Sequence, residues 1–340
     1  MDGLNKPAPA ASAKTGSTTA ARRIDVHQHF LPPAYLSAVG EATLAAATAA
    51  GKLNPWSVER SLELMDSCGI RTAIASTPSP NYPIGDIEQT AKLCRFCNEL
   101  IAQAAQDHPG RFGMFASLLL LPAADMDRAL KEIEHCIDVL GADGVSLRSN
   151  YLGRYLGDRC FDPLWEELER RGSVVHVHPA VTPGTAGVPG VAASMLEYGF
   201  DTTRSIVSLL YNGTPKRFPR VKFIFSHAGG ALPYLAGRVA SFSELNPDFA
   251  QKGTAGVIPA LRSFYYDITD SVNPYTFGTL MKLAPVTQLL FGSDVPFAAE
   301  PRIRLATNGL AELGLAQAEL QAIERDNALK LFPRLRTRLF

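Results

Sequence analysis

The feature that most restricts the fold is a strict alternation. Short, near-continuously apolar runs cover residues 23–29, 70–77, 111–118, 144–147, 173–178, 221–227, 263–269 and 286–292. Between and after them, helical spacing of apolar residues fills 56–68, 86–107, 124–140, 160–171, 201–212, 232–244, 275–283 and 305–331. Runs of that kind are strands covered on both faces. Strand–helix units in strict order build a parallel sheet, and eight of them predict an α/β fold of the (β/α)8 barrel type, a TIM barrel. The rival open, doubly wound sheet asks for a glycine fingerprint after the first strand, and none follows residue 29. A small insertion, residues 30–55, follows that strand with Pro32-Pro33 and an Ala-rich piece at 41–50. The reading is one barrel domain, residues 22–340, behind a disordered tail, residues 1–21, rich in Ala, Ser, Thr, Pro and Gly.

Composition narrows the function. Lys plus Arg and Asp plus Glu both number 33, which gives no basic surface for nucleic acid. No stretch approaches the ~20 apolar residues of a membrane span, and the tail lacks the apolar stretch of a signal peptide. The five cysteines, Cys68, Cys94, Cys97, Cys136 and Cys160, are odd in number and follow no secreted framework. They point to reduced thiols in a cytoplasmic protein. Cys94 and Cys97 fall within a helical stretch with no second pair to complete a zinc site, and are expected as half-buried helix residues.

Barrel chemistry sits at the carboxyl ends of the strands. There the chain places His27 and His29, His176 and His178, His227 and, just after the last strand, Asp294. Of the seven histidines, His108 and His135 alone fall on helices. Residues i and i+2 of a strand share a face, so His27 and His29 project together. Three histidines and one carboxylate hold a divalent first-row metal and leave a position open for water or substrate. On the fifth strand His178 is nearer the end, just before Pro179, and is read as the ligand. His176 lies deeper, either as a core histidine or as a hydrogen-bonding support behind the ligands. Phe30, in the insertion, is expected to wall the pocket.

These stretches, His27-Gln28-His29 after Asp25, His178-Pro179, Ser226-His227-Ala228-Gly229-Gly230 and Gly292-Ser293-Asp294-Val295-Pro296-Phe297, resemble the amidohydrolase superfamily. Within it they resemble the aminocarboxymuconate-semialdehyde decarboxylase branch, which includes decarboxylases of 6-methylsalicylate and other hydroxybenzoates. The resemblance implies one zinc or manganese ion held by His27, His29, His178 and Asp294, with His227 and Asp294 as the acid–base pair. Separately, the fourth strand, Gly-Val-Ser-Leu-Arg, lacks the lysine or glutamate that bridges two metals in binuclear relatives. The resemblance also implies that Arg238 grips a substrate carboxylate, sometimes across a subunit boundary. Arg204 and Arg148 are further candidates, since a guanidinium holds a carboxylate through two hydrogen bonds. The expected activity is non-oxidative decarboxylation of a small hydroxyaromatic or related unsaturated acid. The alternative is hydrolysis of a small lactone or amide on the same metal. The implied partners are the small aromatic acid and further copies of the chain, as a homodimer or homotetramer.

Overall fold

The computed structural model describes residues 23–48, 50–79, 84–119, 121–181, 184–185, 187–298 and 300–339; the expected tail, residues 1–21, lies outside them. The strands of the main sheet are β1 (Arg23–His29), β2 (Ile70–Ser76), β3 (Phe112–Ser117), β4 (Gly144–Arg148), β5 (Val174–His178), β6 (Lys222–Phe225), β7 (Tyr265–Asp267) and β8 (Leu289–Leu290). They form one eight-stranded sheet in chain order, every adjacent pair parallel. The sheet closes because the last strand region bonds back to the first. The Val26 amide donates to the Phe291 carbonyl at 3.0 Å, and the His29 amide to the Val295 carbonyl at 2.7 Å. The expected (β/α)8 barrel is therefore what the chain forms.

The helices cover the outside. Those that matter below are α1 (Pro33–Val39) and α2 (Glu41–Ala47) of the insertion, α3 (Val58–Ser67), α4 (Ile87–Asp107), α5 (Met126–Glu134), α6 (Asp162–Arg171), α7 (Glu197–Tyr211), α8 (Leu232–Ser243), α9 (Gly253–Ser263), α10 (Thr276–Leu283) and α11 (Glu300–Glu312). Their starts are written locally. Ser57, Asp86 and Asp125 each accept from a backbone amide three residues on, a cap that contributes about 1 kcal/mol. The α6 helix stops at Gly172 in the left-handed conformation, where a Cβ would be strained.

The main core lies between strands and helices and is filled by residues such as Ile70, Phe112, Trp165, Phe223 and Tyr266. Burying each such side chain contributes about 1.5–3 kcal/mol. A second cluster joins Ile74, Phe115, Val174 and Ile224 to Phe332 and Leu335 near the C-terminus. Arg23, the first residue of β1, pairs with Glu324 at 2.6 Å. The C-terminal segment thus seals the amino end of the barrel, opposite the histidines.

Several stretches depart from the sequence reading. The last strand is shorter than 286–292, because Val286–Gln288 form a 3-10 turn after Pro285. The sixth strand ends at Phe225, and His227 and Ala228 turn away with φ of 52° and 57°. The run 305–331 is several helices, broken near Gly314, which has φ 73°. The α9 helix has no counterpart in that reading, since the interior Pro259 disguises its periodicity. Cys94 and Cys97 are fully rather than half buried.

Candidate active site

Strand β1 delivers two imidazoles to one point: His27 Nε2 and His29 Nε2 stand 3.2 Å apart. Asp294 meets them because the barrel closes there, its amide donating to the His27 carbonyl at 2.7 Å. Its φ of 60° is left-handed, a conformation aspartate adopts more readily than most residues. Asp294 Oδ1 lies 2.9 Å from His29 Nε2 and 3.4 Å from His27 Nε2. Asp25 fastens this seam, accepting from the His27 amide at 2.9 Å and the Ser293 amide at 3.0 Å. Gly292 permits it: a Cβ there would come within 2.5 Å of Thr269 Oγ1 and 2.9 Å of His27 Cβ.

Strand β5 adds His178, and the donor atoms of His27, His29, His178 and Asp294 all lie within 4.8 Å of one another. His178 Nδ1 sits 2.9 Å from the Pro179 carbonyl; a proton donated there leaves Nε2 free for the cluster. Arg148 braces the same corner, donating to the Pro179 carbonyl at 3.1 Å, contacting His178 Nδ1 and donating to the Ser79 carbonyl. His176 lies beneath, stacked on Phe115 with centroids 5.5 Å apart. His227 Nε2 stands 3.7 Å from Asp294 Oδ2.

Asp267, the last residue of β7, organises these groups and is absent from the sequence-derived set. Fully buried, it accepts from His27 Nδ1 at 3.0 Å, from the His227 amide at 3.0 Å and from the Thr269 amide at 3.1 Å, and faces His176 Nε2 at 3.3 Å. A carboxylate on Nδ1 puts the proton there and turns the Nε2 lone pair toward the cluster. The rule that located the histidines, looking at strand ends, finds Asp267 when applied to carboxylates.

The electrostatics follow from burial and these pairs. Burial holds His29 and His176 down at about 4. Burial, aided by the Arg148 cation, keeps His178 well below its ordinary value. His27 goes the other way, to about 9, because the Asp267 and Asp294 carboxylates outweigh its burial. Burial opposes ionisation of Asp294 and Asp267, but His27 and their hydrogen-bonding histidines hold both below the usual carboxylate range. Burial pushes Asp25 up to about 7.

The donor set fits a single divalent cation. Ligands ~2.1 Å from a tetrahedral zinc stand ~3.4 Å apart, and the separations of 3.2, 2.9 and 3.4 Å lie around that value. Asp294 Oδ1 is buried beside two ring nitrogens yet makes no well-directed hydrogen bond to either, as donors do when they converge on a shared centre.

A cavity of about 80 Å³ opens over the cluster, bounded by His178, His227, Asp294, Arg148, Tyr198, Leu44, Phe297, Asp270 and Arg302. Phe30 is not part of this wall. It is 4% exposed and packs edge-on against Trp56, while Phe297, 5.0 Å from the His29 ring, takes the wall position. Arg204 is exposed on α7 and does not line the cavity. Arg238 is exposed on α8, lying 4.3 Å over the Phe242 ring, and within one chain it does not reach the cavity either. Helical spacing tells which residues share a face but not how far that face is turned from the barrel mouth. Asp270, Phe297 and Arg302 lie on loops or at a helix start, where no periodic pattern marks them.

Residues 24–334 match the amidohydrolase family. The 6-methylsalicylic acid decarboxylase of Penicillium expansum is 36% identical over 318 residues, covering 92% of this chain and 97% of that protein. Among solved structures, an amidohydrolase II superposes with a TM-score of 0.83 at 28% identity, covering 92% of this chain and 99% of the other. The 5-carboxyvanillate decarboxylase of Novosphingobium aromaticivorans, complexed with manganese and 4-hydroxy-3-methoxy-5-nitrobenzoic acid, has a TM-score of 0.79 at 20% identity, covering 96% of this chain and all of that one.

Proposed function

This chain belongs to the amidohydrolase family, and from that premise we propose that it is a metal-dependent, non-oxidative decarboxylase of a small hydroxylated aromatic acid of the 6-methylsalicylate type. The observation that carries the reading is the cluster of His27, His29, His178 and Asp294, with His227 beside it at the floor of a cavity. That cavity, about 80 Å³, is far below the several hundred Å³ of drug-sized sites, which restricts the substrate to a small molecule. The relative from Penicillium expansum bears that name.

His27, His29, His178 and Asp294 would hold one zinc or manganese ion. When bound, the ion would act as a Lewis acid, orienting phenolate and carboxylate oxygens and drawing charge from the ring. The remaining work falls to the chain. His227 delivers a proton to the ring carbon that bears the carboxylate, and exchanges protons with Asp294, 3.7 Å away. A C–H bond forms, the C–C bond to the carboxylate breaks, and its electron pair restores the aromatic ring as CO2 leaves. Asp267 holds His27 and the His227 backbone in place. Phe297 and Leu44 present apolar surface to the ring and keep water from it.

The outer face of α8 supports assembly into a homodimer or homotetramer. Tyr234 is 84% exposed on it, and Phe242 and, just past the helix, Leu245, 53% and 78% exposed, line a groove together with Arg238. Arg238 would serve a substrate only in a neighbouring copy. The five free cysteines fit a reducing, cytoplasmic setting.

The test is elemental analysis of the purified protein together with a panel of hydroxybenzoates assayed for CO2 and the matching phenol. About one metal per chain with phenol formed supports the reading. Metal with no CO2 from any member of the panel, but ring opening of lactones, would replace it with a hydrolase.

A further inference from the structure

We propose that Arg302 is the residue that recognises the carboxylate of the substrate, and that Asp270 holds it ready at the cavity mouth. The inference rests on the decarboxylase reading and goes beyond it, by naming the group that selects an acid over its neutral analogues.

Two arginines line the cavity, Arg148 and Arg302. Arg148 is committed. It donates to the carbonyls of Ser79 and Pro179 and contacts His178 Nδ1, so drawing it toward a substrate would abandon buried carbonyls and release His178. Arg302 is not committed in this way. Among the described residues its guanidinium makes one ion pair, Nη2 to Asp270 Oδ1 at 2.7 Å, and the two side chains are 53% and 35% exposed. The nearby acid Glu300 is already paired with Arg304 at 2.7 Å, so Asp270 is the carboxylate that holds Arg302. An exposed pair of this kind is weak, and trading one carboxylate for another across a guanidinium costs little, since both fit the same fork of N–H donors.

Asp270 brings the arginine to the reacting face. Its φ of 54° breaks the chain direction just after β7, and its carboxylate comes within 4.8 Å of the donor atoms of His227 and Asp294. Arg302 therefore waits one carboxylate away from the acid–base pair. An anionic substrate entering here meets the Asp270 carboxylate, which repels it. Arg302 offsets Asp270 through their ion pair and turns to the substrate carboxylate when it arrives. An amide or an ester of the same ring makes no such exchange.

The experiment compares Arg302→Gln and Arg302→Lys with the parent protein in two assays. The first is turnover of 6-methylsalicylate. The second is calorimetric binding of salicylate and of its neutral analogue salicylamide to the metal-loaded protein. Arg302→Gln should raise KM by roughly tenfold with kcat within about threefold. It should weaken salicylate binding by a similar factor and leave salicylamide binding unchanged. Arg302→Lys should recover part of the loss. Equal effects on salicylate and salicylamide, or none on either, would overturn the inference even if the parent protein turns over. If no hydroxybenzoate is decarboxylated but salicylate binds in an Arg302-dependent way, the decarboxylase reading falls and the recognition role stands. If the parent protein neither turns over nor binds salicylate, both fall.

Discussion

At the floor of the cavity several of the metal-site residues are braced by a second group; at its mouth one exposed pair faces solvent. His27 leans on Asp267, His178 on Pro179, and Asp294 on the backbone of His27. The histidines are set on β1 and β5 inside a closed sheet, and Asp294 on the loop that follows β8. The mouth is made of the turn after β7, the start of α11 and the insertion with Leu44 and Thr48, and its ion pair of Arg302 with Asp270 is largely open to water. The contrast separates two tasks. Positioning a metal and a proton donor tolerates little displacement, and buried supports enforce it. Admitting a substrate needs groups that can change partner at small cost.

The contrast can be broken or sharpened by substitution. The largest effect should come from the floor. His178→Ala or Asp294→Asn should lower bound metal well below one per chain, as read by elemental analysis, and cut turnover by about 10³-fold or more. Dialysis against a chelator should do the same to the parent protein, with recovery on adding zinc or manganese. Asp267→Asn, which touches the cluster only through His27, His176 and the His227 backbone, should weaken metal affinity by about 10–100-fold. Undiminished affinity in a competition titration would remove its supporting role. Gly292→Ala forces a methyl against Thr269 and His27 and should cost about 1–3 kcal/mol of stability, seen as a lowered Tm with weaker metal retention. Phe242→Glu on the exposed face of α8 should leave the Tm nearly unchanged and lower the molar mass measured by light scattering. Arg204→Ala should change kcat/KM by less than about twofold, because an exposed side chain away from such features contributes little; a larger loss would bring Arg204 into the site through a neighbouring copy.

Much of the floor was legible in the chain. His27 and His29 share a face because strand side chains alternate, and His178 stands at a strand end before Pro179. Asp267 escaped because a lone acid after two tyrosines carries no motif, although its position obeys the same rule. Phe30 was read as a wall because it adjoins His29, yet its side chain, just past the end of β1, packs against Trp56 instead. Arg204 was read toward the site from residue type, while the packing of α7 turns it to the outside; Arg238 also faces outward on α8, a position compatible with the reading that it serves the site of a neighbouring copy.

The sequence by itself determined the repeated strand–helix unit, the parallel barrel it closes into, and the histidines at its mouth. Those follow from local periodicity: a strand's alternation is a property of a few consecutive residues, and so is a helix cap. Only the tertiary structure decided that Asp294 meets His27 across the closing seam, that Asp267 stands behind His27, and that Arg302 rather than Arg238 faces the cavity within one chain. These depend on how far the sheet curls before its edges bond and on how each helix is rotated against it. Packing of the whole core decides such rotations, and no local run of residues encodes them.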